Sequence, residues 1–279
     1  MWGNVTYSLD SDGVLTISGS GDMYNYPILG ELYEDSPFRG DYDIKKVVIE
    51  NGVTNIGKSI FDRCNRLTSV EIPNSVTSIE NAAFENCSIL TDINIPSSVV
   101  SIGDGAFERC GLLTNIEIPN SVTSIGDNAF SYCSSLTSIE IPNGVTNIGN
   151  RVFVDCSSLK SVKIPGSVTN IGGYAFSNCS SLESIEIPNS VTSILTNAFS
   201  DCSNLKSVKI PNSVESLGYY AFSGCSSLTN IEIPDSVKKM ETGVFKGCSS
   251  LTNIDIPKDL GNIPDEAFLN CSSLTSVKI

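Results

Sequence analysis

Apolar and polar positions along this chain repeat with a period of 23 residues from about residue 41 onward. One unit reads C-x-x-L-x-x-I-x-I-P-x-x-V-x-x-I-G-x-x-A-F-x-x. Ten cysteines mark the period: Cys64, Cys87, Cys110, Cys133, Cys156, Cys179, Cys202, Cys225, Cys248 and Cys271. Because so short a unit cannot bury its apolar side chains alone, we expect neighbouring units to stack around one continuous core.

The pattern inside one unit predicts its local structure. L-x-x-I-x-I alternates and is closed by proline, which predicts a short strand in a parallel, concave β-sheet to which every repeat contributes. The V-x-x-I segment predicts either a second short strand or an extended segment. G-x-x-A-F-x-x-C has helical spacing but little length, so we expect short α or 3₁₀ turns there. The predicted class is therefore an α/β solenoid.

The first 40 residues depart from this period. Two alternating segments, 5–9 and 14–18, flank the turn residues 10–13 and predict a β-hairpin. A solenoid must cover the apolar end of its first turn, so we expect an N-terminal β-hairpin cap over residues 1–40. Residues 41–279 are then a solenoid of about ten repeats. The chain stops inside a predicted strand, so we expect it to be truncated at the C-terminus.

The unit CSSLTSIEIPNGVTNIGNRVF, residues 133–153, resembles the BspA-like, or Treponema-type, leucine-rich repeats of bacterial and protozoan surface proteins. The resemblance extends over residues 41–279, and the N-terminal stretch is similar to the hairpin caps of such arrays. It implies a leucine-rich repeat solenoid on a secreted or cell-surface protein, with adhesion or protein recognition as its role. It implies no catalytic residue, because the motif contains only packing positions.

Composition and charge exclude several classes of partner. The formal net charge is −14, and nucleic acids and anionic membranes both require a basic surface, so we expect no nucleic-acid binding. No apolar run reaches the roughly 18 residues of a membrane helix, so we expect no membrane insertion. We also expect a monomer.

The cysteines are candidate ligands and candidate disulfides. One thiol per repeat forms a line instead of a tetrahedral cluster, and the chain has no histidine, so we expect no zinc, other metal or cofactor. Disulfides between adjacent repeats remain open, since strands about 4.8 Å apart lie within disulfide range. The uniform period favours buried, reduced thiols that pack as small hydrophobic groups.

The predicted strands carry an outward row of polar residues, seven positions after each cysteine. Its candidate partner-binding members are Glu117, Glu140, Lys163, Glu186, Lys209, Glu232 and Asp255. Alternating charges can also simply support strand pairing, by about 0.2 to 1 kcal/mol each. Glu117 beside Glu140 and Glu232 beside Asp255 are like-charge pairs, which bind metal only weakly at best, because hard cations require six or more oxygens.

Three functions are compatible with this lattice. The first is a non-enzymatic recognition or adhesion module that binds a protein or a glycan. The second is a structural spacer or stalk that presents another domain. The third, an enzyme, has the least support. The repeat itself places carboxylates at the spacing of a glycosidase pair in many rungs, so that spacing is not specific, and a nucleophilic serine has no histidine to act as its base.

Overall fold

The protein is described by a computed structural model that covers residues 4–26 and 36–278. The chain divides into two compact units, Met1–Leu136 and Thr137–Ile279. Each unit is a stack of 23-residue turns with parallel sheets, and each turn is called a rung below. Parts of the predicted cap, residues 1–3 and 27–35, lie outside the described residues.

The strands are short, and most rungs contribute two. The first unit contains β1 Asn4–Leu9, β2 Val14–Ser20, β3 Lys46–Ile49, β4 Asn55–Ile56, β5 Ser69–Glu71, β6 Ser78–Ile79, β7 Asp92–Ile93, β8 Ser101–Ile102 and β9 Ser124–Ile125. The second contains β10 Ser138–Glu140, β11 Asn147–Ile148, β12 Ser161–Lys163, β13 Asn170–Ile171, β14 Ser184–Glu186, β15 Ser193–Ile194, β16 Ser207–Lys209, β17 Ser216–Leu217, β18 Lys239–Met240, β19 Asn253–Asp255 and β20 Ser276–Lys278.

The predicted strand of L-x-x-I-x-I forms the first set of parallel sheets. In the first unit, strand order is β1-β2-β3-β5-β7, and no strand forms at residues 114–118. In the second unit, the same position forms three two-stranded sheets, β10-β12, β14-β16 and β19-β20. We call the residues four to eight positions after each cysteine the strand segment. Pairing along it is therefore interrupted in both units.

The V-x-x-I segment forms a second set of sheets, which resolves the alternative between strand and extended segment. In the first unit, β4, β6, β8 and β9 pair in parallel, and in the second β11, β13, β15, β17 and β18 do so. Pairing always joins residues 23 positions apart, as in Asn170↔Ser193. The sequence period is thus the register of both sets of sheets.

The predicted α or 3₁₀ turns are wrong, because the described residues contain no helix. We call the seven residues before each cysteine the turn segment. In the rung of Cys64, the amide of Asp62 donates to the Ser59 carbonyl, but the amides of Phe61 and Arg63 donate to the next rung. A helix needs consecutive amides to donate within their own segment. The α/β class is therefore corrected to a β-solenoid.

Backbone conformation also prevents a helix in the turn segment. The fifth residue before every cysteine has positive φ: Ser59, Ala82, Gly105, Asn128, Arg151, Tyr174, Asn197, Tyr220, Gly243 and Glu266. The residue directly before every cysteine does too: Arg63, Asn86, Arg109, Tyr132, Asp155, Asn178, Asp201, Gly224, Gly247 and Asn270. Left-handed residues cannot continue a right-handed helix, so each rung turns repeatedly and presents alternate amides to its neighbour.

Stacked phenylalanines fill the core of each unit. In the first, rings at Phe38, Phe61, Phe84, Phe107 and Phe130 stack with centroids 5.4–5.9 Å apart. In the second, rings at Phe153, Phe176, Phe199, Phe222, Phe245 and Phe268 stack with centroids 5.3–5.9 Å apart. Rings from neighbouring rungs therefore bury one another, as no single rung could do.

The hairpin predicted at the N-terminus is present. β1 and β2 pair antiparallel, and β2 pairs in parallel with β3, so the hairpin adds to the edge of the first sheet. Leu15 and Ile17 on β2 are fully buried. The Tyr7 ring meets Phe38 edge-on at 4.8 Å, at the end of the phenylalanine stack. These contacts place the hairpin beside the first rung, and its role as a cap over residues 1–40 stays a prediction.

Candidate functional site

The predicted outward row lies on the surface, as its alternation required. The side chains of Glu117, Glu140, Lys163, Glu186, Lys209, Glu232 and Asp255 are all exposed, while Ile139 and Val162 between them are buried. Glu117 belongs to the first unit and lies on a segment without strand structure. The other six belong to the second unit. Their role in binding stays a prediction.

Several charges on the strand segments of the second unit form ion pairs between rungs. Lys163 contacts Glu140 across β10 and β12. Lys206 Nζ lies 2.7 Å from Glu183 Oε2 on the rungs of β14 and β16. These pairs join strands that also share backbone hydrogen bonds, so the charge alternation supports pairing there.

Strand pairing along this surface stops on both sides of the β14-β16 pair. β12 does not pair with β14, and β16 reaches β19 only through the isolated bridges Lys209↔Glu232 and Asn230↔Asn253. Among the described residues, Glu186, Lys209 and Glu232 take part in no ion pair, although Lys209 lies opposite both of the acidic residues. The like-charge neighbours of the second unit are Glu232 and Asp255, where pairing is reduced to single bridges.

A groove lies at the second of these interruptions. One depression, of about 400 Å³, is lined by Val208, Lys209, Asn230, Ile231, Glu232, Asn253, Ile254 and Asp255. A neighbouring depression, of about 440 Å³, shares Glu232 and Asp255 and extends to Ser236. We call the two together the β16–β19 groove. Three of the seven predicted residues, Lys209, Glu232 and Asp255, are thus brought together.

Ser236 marks the same place as an exception in a regular series. At the corresponding position of other rungs, serine hydroxyls donate to a valine carbonyl of the preceding rung: Ser75, Ser98, Ser121, Ser167, Ser190 and Ser213. The Oγ of Ser236 is buried and has no hydrogen-bond partner in the described part of the chain. An unsatisfied buried hydroxyl is uncommon in folded proteins and calls for a local explanation.

Each cysteine thiol has a specific structural partner. In nine rungs the Sγ–H donates to the carbonyl of the phenylalanine 26 positions earlier, at 3.0–3.3 Å, for Cys64, Cys87, Cys110, Cys133, Cys179, Cys202, Cys225, Cys248 and Cys271. All ten cysteines are free, and all but Cys271 are buried, which confirms the predicted burial. Burial raises the pKa of Cys133 and Cys202 to about 12. Such thiols are poor nucleophiles and poor metal ligands.

Sequence reasoning missed an acidic stack on the turn segments of the first unit. Asp62, Glu85 and Glu108 occupy the same position on successive rungs, two residues before their cysteines. Arg39 Nε lies 2.9 Å from Asp62 Oδ2, and the Asn86 amide donates to both Asp62 and Glu85. Burial, reinforced by Asp62 and Glu108, raises the pKa of Glu85. The sequence signal for this stack is the acidic residue that stands two positions before three successive cysteines.

The described residues contain no group of three or more His, Cys, Asp or Glu that could hold a metal ion. The acidic stack is accordingly occupied by arginine and asparagine side chains of the chain itself. The line of thiols is likewise engaged with carbonyl groups. Neither arrangement offers the open coordination position of a catalytic metal centre.

The tyrosines of the turn segments pack against neighbouring rungs. The guanidinium of Arg109 lies 4.5 Å from the centroid of Tyr132, and that of Arg151 lies 5.0 Å from Tyr174. These cation–π contacts show how both rings are held in place, although each remains partly exposed. The tyrosines therefore cover the turns between rungs.

The described part of the chain has no helix long and apolar enough to cross a membrane. Comparison with protein families then identifies the repeat. The family model described as BspA type leucine rich repeat region matches in six copies, over residues 33–134, 54–183 and 169–279. The chain belongs to this family. BspA-type leucine-rich repeats are in general non-enzymatic interaction repeats, typically of bacterial surface proteins.

Three solved structures of similar fold are bacterial leucine-rich repeat proteins. A leucine rich cell surface protein from Faecalibacterium prausnitzii is 28% identical over 99% of this chain and 93% of its own, with a TM-score of 0.53. A leucine-rich repeat protein from T. pallidum is 29% identical over 64% of this chain and 88% of its own, with a TM-score of 0.50. One from Eubacterium ventriosum, 24% identical over 99% and 82%, shares the fold with a TM-score of 0.60. No curated protein matches the chain.

Proposed function

We propose that the protein is a non-enzymatic recognition module, secreted or attached to the cell surface, that binds a protein partner through the strand segments of its second unit. The observation that carries this proposal is the exposed row from Glu140 to Asp255, in which some charges form ion pairs while Glu186, Lys209 and Glu232 form none among the described residues. Unpaired charges on an exposed surface favour a charged partner, because complementary potentials steer and orient association. Repeat proteins commonly bind partners on extended surfaces of this kind.

A protein is favoured over a glycan by the composition of this surface. The strand segments of the second unit contain Thr, Ser, Asn, Lys, Glu and Asp between their buried aliphatic residues, and no aromatic residue. Aromatic rings provide a flat apolar platform with a polar edge, and such a platform suits the face of a sugar ring. The exposed tyrosines of the second unit, Tyr174 and Tyr219, lie on the turn segments instead.

Surface display is supported by the family and by the similarity to the cell surface protein of Faecalibacterium prausnitzii. The alternative is a structural spacer or stalk that presents another domain. A stalk needs the stacked core but makes no use of a particular row of charges. The two functions therefore differ in what a change confined to the strand segments does.

The test reverses charges on the strand segments without changing net charge. The reversal variant combines Glu140→Lys, Lys163→Glu, Glu186→Lys and Lys209→Glu. Its matched control reverses an exposed ion pair outside the strand segments, Lys238→Glu with Asp259→Lys, whose atoms lie 3.0 Å apart. Binding of all three proteins to an array of purified host and extracellular-matrix proteins is then compared at physiological salt.

We expect at least one array protein to bind the wild type and the control, and to lose at least about tenfold in affinity for the reversal variant. Equal binding by all three proteins would show that the strand segments take no part in recognition. No binding by any of them would favour the stalk.

A further inference from the structure

We propose that the β16–β19 groove binds an extended protein segment that carries a lysine or arginine side chain, held between the carboxylates of Glu232 and Asp255. This inference rests on the proposed function and names the chemistry of its partner. Glu232 and Asp255 occupy the same position on adjacent rungs and line both depressions of the groove.

Charge is the first argument for a basic side chain. Like charges at equivalent positions of neighbouring strands are unfavourable. Lys278 Nζ is 3.7 Å from Asp255 Oδ2, with both side chains largely exposed, and Glu232 has no ion pair among the described residues. Lys209 lies beside Glu232 and also lines the groove, but Glu232, Asp235 and Asp255 outnumber it, so the lining is net negative. A guanidinium or ammonium group between the two carboxylates reduces that excess, and a guanidinium can bond to both.

Local departures from the repeat are the second argument. Five positions after the cysteine, the second unit has Ser138, Ser161, Ser184, Ser207 and Ser276, but Asn230 and Asn253 at the groove. An asparagine side chain offers both a donor and an acceptor, which is what an extended backbone needs. Serine offers one hydroxyl and a shorter reach. The two amides therefore lie where a peptide backbone could be held.

Space is the third argument. One position nearer the cysteine, Thr229 and Thr252 resume the threonine that most rungs carry there, after the long side chains of Lys160, Glu183 and Lys206 on the three preceding rungs. The Thr252 hydroxyl bonds back to the Thr229 carbonyl at 3.3 Å and so lies against the stack. Short side chains on one edge and carboxylates on the other open the surface at this rung.

Sheet pairing supports the same location. The strand segment that contains Glu232 is joined to its neighbours by single bridges, while the paired strands β10-β12, β14-β16 and β19-β20 share three residues each. The unsatisfied hydroxyl of Ser236 lines the same groove. A like-charge pair, two amides and an unused hydroxyl thus coincide at one place, beside short threonine side chains.

The test selects binders from a library of linear peptides on the immobilised full chain. We expect the selected peptides to share a lysine or arginine at one position. Their affinity is then compared for the wild type and for two groove variants of nearly unchanged shape. The first is Glu232→Gln with Asp255→Asn, and the second is Asn230→Ser with Asn253→Ser, which restores the repeat.

The matched control is Asp43→Asn with Glu50→Gln, which removes the same charge from exposed positions of the first unit. We expect affinity to fall about tenfold or more in the carboxylate variant, to fall less in the asparagine variant, and to stay unchanged in the control. Affinity of the wild type should also decrease with salt.

Selected peptides without a basic residue, a library that yields no binder, or affinities equal in wild type and carboxylate variant would each overturn the inference. Peptide binding that is lost in the strand-segment reversal variant but kept in the carboxylate variant would contradict binding in the groove and leave the proposed function standing. If the wild type is a dimer and the carboxylate variant is a monomer, the groove binds a second copy of the chain, and the inference is also overturned.

Discussion

The turn segments and the strand segments of the same rungs follow different rules. In the turn segments, the positive φ positions, the stacked phenylalanine and the thiol donor recur in rung after rung. In the strand segments, pairing stops and resumes and the outward residues change from rung to rung. The difference shows that the turn segments hold the stack together, which leaves the strand segments free to vary for a partner.

Phe199→Ala, in a turn segment, is the variant for which we expect the largest loss of stability. The Phe199 ring is fully buried between Phe176 and Phe222, so the variant should lose about 3–5 kcal/mol of unfolding free energy. Urea unfolding followed by circular dichroism measures the loss. The strand-segment control, Lys209→Gln, should leave the midpoint unchanged, and a comparable loss there would break the division.

The cysteines provide the next test through alkaline pH. Burial raises the pKa of Cys202 from 9.0 to about 12, so unfolded thiols ionise before folded ones. The stabilisation is complete below pH 9 and is lost between pH 9 and 12, by about 1.4 kcal/mol per pH unit for each such thiol. Urea midpoints across that range should fall less steeply for Cys202→Ala than for wild type.

Cys271 is the internal control for the cysteine test, because it is only partly buried. Cys271→Ala should change the alkaline slope less than Cys202→Ala, and a thiol reagent should modify Cys271 first in the native chain. All ten thiols should react once the unreduced chain is denatured. A smaller count would mean that adjacent rungs form disulfides.

Glu85→Gln should change the stability less than the preceding variants do, and should raise it. Because burial and the neighbouring acids raise the pKa of Glu85, the folded state favours its neutral form. That contribution is present below the unfolded pKa near 4.5 and is lost as pH rises through the folded pKa. At neutral pH, Glu85→Gln should therefore stabilise the protein, by only about a few tenths of a kcal/mol, because solvent screens a half-exposed group.

Acid pH supplies the control for this variant. Near pH 3 both side chains are uncharged, so wild type and Glu85→Gln should have equal urea midpoints. Destabilisation by the variant at neutral pH would instead mean that the hydrogen bond from Asn86 outweighs the repulsion within the acidic stack.

Glu183→Gln should have no measurable effect on stability. Its ion pair with Lys206 lowers the pKa of Glu183, but both side chains are exposed and the pair is screened by solvent. Urea unfolding at low and high salt checks this. A clear loss would show that charge alternation, and not the turn segments, holds the strands in register.

The sequence predicted the parts of the fold that repeat. The 23-residue period correctly predicted the length of one rung, the register between rungs in both sets of sheets and the burial of the cysteines. The turn segment was misread because the spacing from Ala to Phe to Cys fits a helix as well as a series of turns. Asn and Asp precede several cysteines and tolerate positive φ, but Arg63, Arg109 and Tyr132 occupy the same position and hide the signal.

The groove could be predicted only in part. The row that contains Glu232 and Asp255 followed from alternation, and the change from serine to Asn230 and Asn253 is visible in the sequence. The loss of pairing in the strand segment of that rung is visible only in the structure, because the aliphatic pattern there matches that of the paired rungs. The period also places Asp62, Glu85 and Glu108 on successive rungs, but the burial that raises the pKa of Glu85 is visible only in the structure.

The bond from each thiol to a carbonyl 26 residues earlier restricts how such a gene can change in length. Every rung supplies one acceptor and one donor to its neighbours, so removal or duplication of one whole repeat rejoins the same groups. Any other insertion inside a rung separates a thiol from its carbonyl and a phenylalanine from its stack. Gain or loss of whole 23-residue units is thus the change in length that this backbone tolerates best.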